Sequence, residues 1–323
     1  MVLDKSNMLN VLENFPKQCR EALAISKGEK ISKKITNIVV AGMGGSAIGG
    51  DLLKAYLSNT NIPVFVNRSY KLPNFVNENT LVFAVSYSGN TEETLSSYHD
   101  ALTKKAHVIA VASGGRLAEL CKKTILIPSG LQPRNAIAYL FFPMLGLLFN
   151  SGLVSVTNKE LNEMLLSLKE VSEFKERAEQ IAKKIQGKTP IIYSSGFLEP
   201  VAYRWKCEFN ENSKQPAFCH VFPEMSHNEI VGYRFINRSQ YAVILIRDKL
   251  DHPRIQKRMD IFLNLIGKHI DVEEVHTKGE GVLSRMLSAI YLGDFTSYYL
   301  AMLNRVDPTP VEVIENLKKA LDK

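Results

Sequence analysis

The sequence predicts an α/β protein made of two doubly wound parallel-sheet domains. Three observations predict it. Short β-branched runs recur along the chain, helical patterns separate most of them, and the strand–turn–helix pattern restarts near residue 190. Alternating strands and helices give a parallel sheet with crossover helices. At 323 residues the chain suits two domains of ordinary size and can bury a large core without disulfide or metal staples.

Residues 8–25 read as an amphipathic leading helix. Asn37-Ile38-Val39-Val40-Ala41, closed by Gly42, has the composition of a strand buried on both faces. Similar runs follow at 64–66, 81–85, 107–112 and 124–127, with helical patterns at 46–57 and 91–104. Residues 135–158 carry no charge, but Pro143, Gly146 and Gly152 interrupt them. The unbroken apolar part is shorter than the ~20 residues a membrane span requires, so a buried core or dimer-interface helix is expected. Residues 159–186 are charged and helix-favouring, as a connecting helix or pair. The pattern restarts at Pro190-Ile191-Ile192-Tyr193-Ser194-Ser195-Gly196, and Pro200 suits the first position of the next helix. Later strands are expected at 217–222, 241–246 and 271–275. The expected boundaries are 1–155 for the first domain with its leading helix, 156–186 for the connection, and 187–323 for the second domain with a helical tail.

Apolar content is 45% and charged content 23%, the profile of a globular protein that stays in water. The net charge of +7 is dispersed, without the basic stripe and interleaved aromatics of a nucleic-acid site. A solvated surface that attracts anionic metabolites is the simpler reading. Cys19, Cys121, Cys207 and Cys219 form no Cys-x-x-Cys pair, so free thiols in a cytoplasmic protein are expected. The first residues lack the apolar core of a signal peptide.

Gly42-Met43-Gly44-Gly45-Ser46-Ala47 follows the first strand and opens a helix. Glycines let the backbone approach an anion, and a helix N-terminus supplies free N–H groups. The pattern also fits the loose dinucleotide fingerprint, which wants an acidic residue after the second strand. Asn67 and Arg68 stand there instead, so an NADP-dependent oxidoreductase is the version of that reading that survives. A tight packing turn without a ligand explains this segment equally well.

Ser86-Tyr87-Ser88-Gly89-Asn90-Thr91 directly follows the third strand, and Glu92-Glu93 begin a helix. In an open parallel sheet, ligands bind at this carboxyl edge. Hydroxyls and helix N–H groups together can surround a phosphate. Helix capping by Asn90 or Thr91 accounts for one polar residue, whereas this turn has five. Ser46 would join the same cluster. Arg134 starts the long uncharged helix, where solvated helix start and substrate contact are even readings.

These two turns, continued by Glu92-Glu93-Thr94, resemble the sugar isomerase (SIS) domain family, whose domains are flavodoxin-like. Cys207-Glu208-Phe209-Asn210-Glu211-Asn212-Ser213-Lys214 and Pro223-Glu224-Met225-Ser226-His227-Asn228-Glu229-Ile230 narrow the likeness. They are similar to the bifunctional phosphoglucose/phosphomannose isomerases of archaea and some bacteria. So is the tail, Tyr291-Leu292-Gly293-Asp294-Phe295 and Val306-Asp307-Pro308-Thr309-Pro310-Val311. The resemblance implies interconversion of glucose 6-phosphate or mannose 6-phosphate with fructose 6-phosphate, without cofactor. It implies phosphate contacts at Gly45, Ser46, Ser86, Ser88 and Thr91, and a sugar contact at Arg134. It implies Glu211 as proton-transfer base and His227 as ring-opening group. It also implies a homodimer in which His227 reaches the neighbouring subunit's site. A non-catalytic sugar-phosphate regulator would use the same phosphate cup.

The residues suit those roles. Moving a proton between C1 and C2 needs one base on one face of the sugar. Glu211 falls near the end of the helix starting at Pro200, where the dipole opposes a carboxylate. Glu208, three residues earlier and near the same face, is its decoy. Ser226-His227-Asn228-Glu229 reads as a capping box with His227 first in the helix, where a neutral imidazole can exchange protons. His220, Glu224 and His227 fit no standard zinc spacing. Val311, Ile314, Lys318 and Leu321 share one helical stripe, where a lysine can snorkel or favour the helix C-terminus; the resemblance implies a tail lysine near the open-chain sugar, which makes Lys318 a candidate.

Overall fold

The computed structural model describes residues 3–321. The leading helix is two helices, α1 (Met8–Glu13) and α2 (Phe15–Ile25). Pro16 sits in the first turn of α2, where its missing N–H costs nothing, and it would clash inside one continuous helix. There follow β1 (Asn37–Ala41), α3 (Gly44–Tyr56), β2 (Val64–Asn67), β3 (Thr80–Val85), α4 (Glu92–Thr103) and β4 (His107–Ala112). After these come α5 (Gly115–Leu120), β5 (Thr124–Leu126), α6 (Ile137–Asn150) and α7 (Asn158–Ser167). Strand order in this sheet is β2-β1-β3-β4-β5, parallel throughout. Every residue of β3 is buried, which is why it reads as a continuous apolar run rather than an alternation. None of the described helices is long and apolar enough to cross a membrane. Instead α6 packs nearly all of its side chains inside the protein.

The second half contains α8 (Val171–Ile185), β6 (Thr189–Ser195), α9 (Glu199–Glu211), β7 (Phe218–Phe222), β8 (Tyr241–Arg247), α10 (Pro253–Ile266), β9 (Asp271–His276), α11 (Val282–Leu303) and α12 (Glu312–Leu321). Its sheet is parallel, in the order β7-β6-β8-β9. Tyr193, Phe222, Tyr233 and Phe262 form its aromatic centre, with the Tyr233 hydroxyl donating to that of Tyr193 at 2.9 Å.

The chain divides into two compact units. One comprises Asn14–Lys169 with Glu280–Ser284; the other holds Glu170–Gly279, the chain before Asn14 and the chain from Arg285 onward. The boundary in the connecting region thus falls between α7 and α8, and α1 belongs with the second sheet, not the first. The Lys175 ammonium, 2.6 Å from the Glu13 carboxylate, contributes to that membership.

Candidate active site

In the first unit, the turns after β1 and β3 are joined by their hydroxyls. Ser46 accepts from the Tyr87 N–H at 3.2 Å, and the Ser86 and Thr91 hydroxyls are 2.8 Å apart. Thr91 is the N-cap of α4 by backbone conformation, yet its side chain makes no capping bond. Its hydroxyl turns to Ser86 instead, so capping does not account for it. Ser46 and Ser86 are buried, while Ser88 is exposed at the lip. Asn90 turns away from the cup, and its Oδ1 accepts from the Arg116 N–H at the start of α5.

Gly89 (φ +70°) is held tightly under the Gly114–Gly115 turn, where a Cβ would overlap the Gly114 carbonyl oxygen. At Gly45 a Cβ would meet the Pro133 carbonyl oxygen at 3.0 Å and the Arg134 Cα at 3.3 Å. Glycine there lets the segment carrying Arg134 lie against the first turn of α3. Arg134 itself is only 3% exposed, so it is not a solvated helix-start residue. Sequence reasoning misses the Gly114–Gly115 turn; consecutive glycines one residue after β4 are the signal that could find it. Arg68 is ion-paired with Asp51 of α3, which commits the charge that an NADP 2′-phosphate would need.

In the second unit, Glu211 is the last residue of α9 and lines a cavity of ≈ 850 Å³ with Lys214, Phe218, Asp307, Val311 and Ile314 among its walls. The Lys214 ammonium donates to the Glu211 carbonyl and, at 3.1 Å, to that of Pro308, tying the end of α9 to the tail. Lys214 stands inside the Asn210-Glu211-Asn212 motif region, but sequence alone gives it no role.

Glu208, the decoy, is fully buried. Its carboxylate lies 3.0 Å from the Arg204 guanidinium, which grips Asp294 through two bonds of 3.0 and 2.9 Å. Burial opposes the Arg204 charge, but Asp294 and then Glu208 outweigh it and hold its pKa above the ordinary value. Asn212 donates to both Glu208 and Ser297 at 2.9 Å. Glu208 is therefore committed to structure, and Glu211 is the residue of the two that lines the cavity. Burial first, and the Glu208 charge second, push the Cys207 thiol up to about 11, so it stays protonated at neutral pH. All four cysteines are free.

The expected capping box does not form. Ser226 lies within a 3-10 turn, Glu224–His227, and its hydroxyl donates to the Pro223 carbonyl. Asn228 caps the next 3-10 segment, Glu229–Phe235, by accepting from the Glu229 N–H at 2.6 Å. A short Asn side chain does this locally, so His227 ends one turn instead of beginning an α-helix. The dipole argument for it lapses, while its exposure leaves it free to act. No group of three or more His, Cys, Asp or Glu able to hold a metal gathers among the described residues. Lys318 is exposed on α12 and outside the lining of the Glu211 cavity, although Ile314, one turn earlier, belongs to it.

Known proteins match both units. The SIS domain profile covers residues 30–147, and the profile of the bacterial phospho-glucose isomerase C-terminal SIS domain covers 174–321. A bifunctional phosphoglucose/phosphomannose isomerase of Caldicellulosiruptor bescii is 44% identical over 97% of this chain and 98% of its own. The chain belongs to the bifunctional phosphoglucose/phosphomannose isomerase family. A Thermoplasma acidophilum relative with the same description is 38% identical over 88% of this chain and 90% of its own. At the level of fold alone, the C-terminal domain of glucosamine-fructose-6-phosphate aminotransferase from Francisella tularensis matches with a TM-score of 0.75. It is 15% identical and covers 94% of this chain and 97% of its own. Within the family, the hydroxyl cup and the Asn210-Glu211-Asn212 segment are the parts with chemistry to offer.

Proposed function

We propose that this chain interconverts glucose 6-phosphate and mannose 6-phosphate with fructose 6-phosphate by metal-independent proton transfer through an enediol. The phosphate is held by Gly45, Ser46, Ser86, Ser88 and Thr91 at the N-terminus of α4, and Arg134 contacts the sugar. The observation that carries this reading is the Ser86–Thr91 pairing. Those hydroxyls gather at a helix N-terminus that has no side-chain cap, leaving N–H groups and hydroxyls for an anion. Glu211 removes the proton from C2 of either aldose and returns it to C1. One carboxylate serves both epimers when rotation about C2–C3 turns either face towards it, since the planar enediol does not record the configuration at C2. His227 opens the ring by moving a proton between the ring oxygen and O1, in a homodimer that brings it to the neighbouring subunit's site. Lys318 is given no step, because it lies outside the Glu211 cavity.

The test is an isomerase assay with both aldoses and added chelator. Both should yield fructose 6-phosphate. Glu211→Gln should lose at least about a thousandfold in kcat while still binding substrate, as expected when the sole base is removed. Retained activity in that variant would mean that another group is the base. Sugar-phosphate binding without turnover by the parent protein would identify a regulator.

A further inference from the structure

The two sheets share one winding. In β2-β1-β3-β4 and in β7-β6-β8-β9, the first strand of the sheet lies between the second and the third. The topological switch point is therefore the carboxyl edge of β1 and β3 in one unit, and of β6 and β8 in the other. That edge is where open α/β sheets bind ligands. In the first unit it carries the proposed phosphate cup.

The second edge has corresponding parts. A small-residue turn, Ser194-Ser195-Gly196, ends β6, as the glycine turn ends β1. Arg285 lies in the first turn of the long apolar helix α11, as Arg134 precedes α6. The departure comes at the residue directly after the third strand. It is Ser86 after β3 and Asp248 after β8.

Asp248 occupies the position as an anion. Its Oδ1 accepts from Arg285 Nη1 at 2.5 Å and from the Leu250 N–H at 2.7 Å. Asp248 is 2% exposed and Arg285 5%. Asp248 Oδ2 is buried with no hydrogen-bond partner among the described residues. The guanidinium lies over the Phe197 ring, 5.5 Å from its centroid. A second carboxylate, Asp251, accepts from the Asp248 N–H at 3.3 Å. Burial raises the Asp251 pKa; the Ser195 hydroxyl opposes that, the Asp248 charge adds to it, and Arg285 opposes it again.

We propose that the switch point of the second sheet is a phosphate-class anion site filled by the chain's own Asp248, so that each chain holds one phosphate instead of two. A buried arginine is costly unless it is paired and hydrogen-bonded, and an anion is its strongest partner. A tethered carboxylate presents itself at an effective concentration that a free metabolite does not reach. The half-satisfied Asp248 is the mark of a stand-in: two oxygens occupy a place where a tetrahedral anion would offer more acceptors to Arg285, Ser195 and the turn N–H groups.

This inference rests on the reading of the first cup as a phosphate site, and one titration separates the two. Inorganic phosphate is titrated into the full-length chain and into Asp248→Ser, which copies the first unit's residue. The parent should take up one phosphate per chain and the variant two. Adding Arg285→Met to the variant should return it to one. A count of none in the parent and one in the variant would sink the first-cup reading and keep this one. Equal counts in parent and Asp248→Ser would overturn it. Asp248→Asn, which keeps the shape and removes the charge, guards against misfolding of the serine variant. Phosphate should raise its thermal midpoint by more than it raises the parent's, and equal rises would likewise overturn the proposal.

Discussion

A hydroxyl beside a helix start can cap the helix or wait for a ligand, and Thr91 shows how the choice is made. Its backbone is extended, as a cap requires, but Ser86 lies within 2.8 Å and takes the side chain. The fixed arrangement depends on Gly89, whose positive φ and contact with Gly114 leave no room for a Cβ. Gly89→Ala should therefore destabilise the first unit by more than about 2 kcal/mol, since both overlap and backbone strain oppose it. It should also raise KM for both aldoses more than it lowers kcat. Urea unfolding with parallel kinetics measures both, and an unchanged midpoint would mean that the turn relaxes at little cost. For Arg134, sequence leaves solvation and substrate contact evenly balanced. Burial removes the solvated reading, since Arg134 is only 3% exposed.

At the scale of elements, the end of α9 is built around charge, not around packing alone. Arg204, Glu208 and Asp294 are all buried, an arrangement that seldom adds stability over an apolar core but holds a fixed register. Here it fixes the helical turn that ends at Glu211. The same sheet is also tied by partly exposed charges. Asp271, at the start of β9, pairs with Lys188, just before β6, and with Arg238, just before β8. The Lys188 bond first and the Arg238 bond second hold the Asp271 carboxyl below its usual value of 3.8. A depressed carboxyl pKa adds stability that is present above the unfolded value and is lost as pH falls through the folded one. Asp271→Asn should therefore weaken the protein at neutral pH and flatten the decline in its urea midpoint below about pH 4. A variant whose acid limb keeps the parent's slope would show that the pairs contribute nothing.

For the whole molecule, the tail raises the question of assembly. No residue of α12 is buried, and Val313, Leu317 and Leu321 are largely exposed. The homodimer of the proposed function gives such a stripe a partner, because exposed apolar stripes are usually covered. Leu317→Asp should then shift the mass measured by light scattering towards a single chain. It should leave the thermal midpoint of that chain nearly unaltered, since Leu317 is exposed within it. A dimer of unaltered stability would place the interface elsewhere.

Local patterns in the sequence determined the parallel sheets, the buried α6 and the two ligand-edge turns. Buried strands must be apolar, and small residues must follow them where a helix turns back. The same patterns placed Glu211 at the end of its helix. The division between units was not legible, because α1 and α8 are amphipathic helices whose apolar faces do not say which sheet they cover. The helix break at Pro16 is written in the chain but easily passed over, and the Ser226 box is a local motif overruled by a nearer competitor, Asn228. What only the tertiary structure decided is which polar residues are spent on structure. It gave Asn90 to α5, Arg68 to Asp51, Glu208 to Arg204 and Asp248 to Arg285. The first two pairings join residues far apart in sequence, and the last two are fixed by burial, which makes an unpaired charge costly.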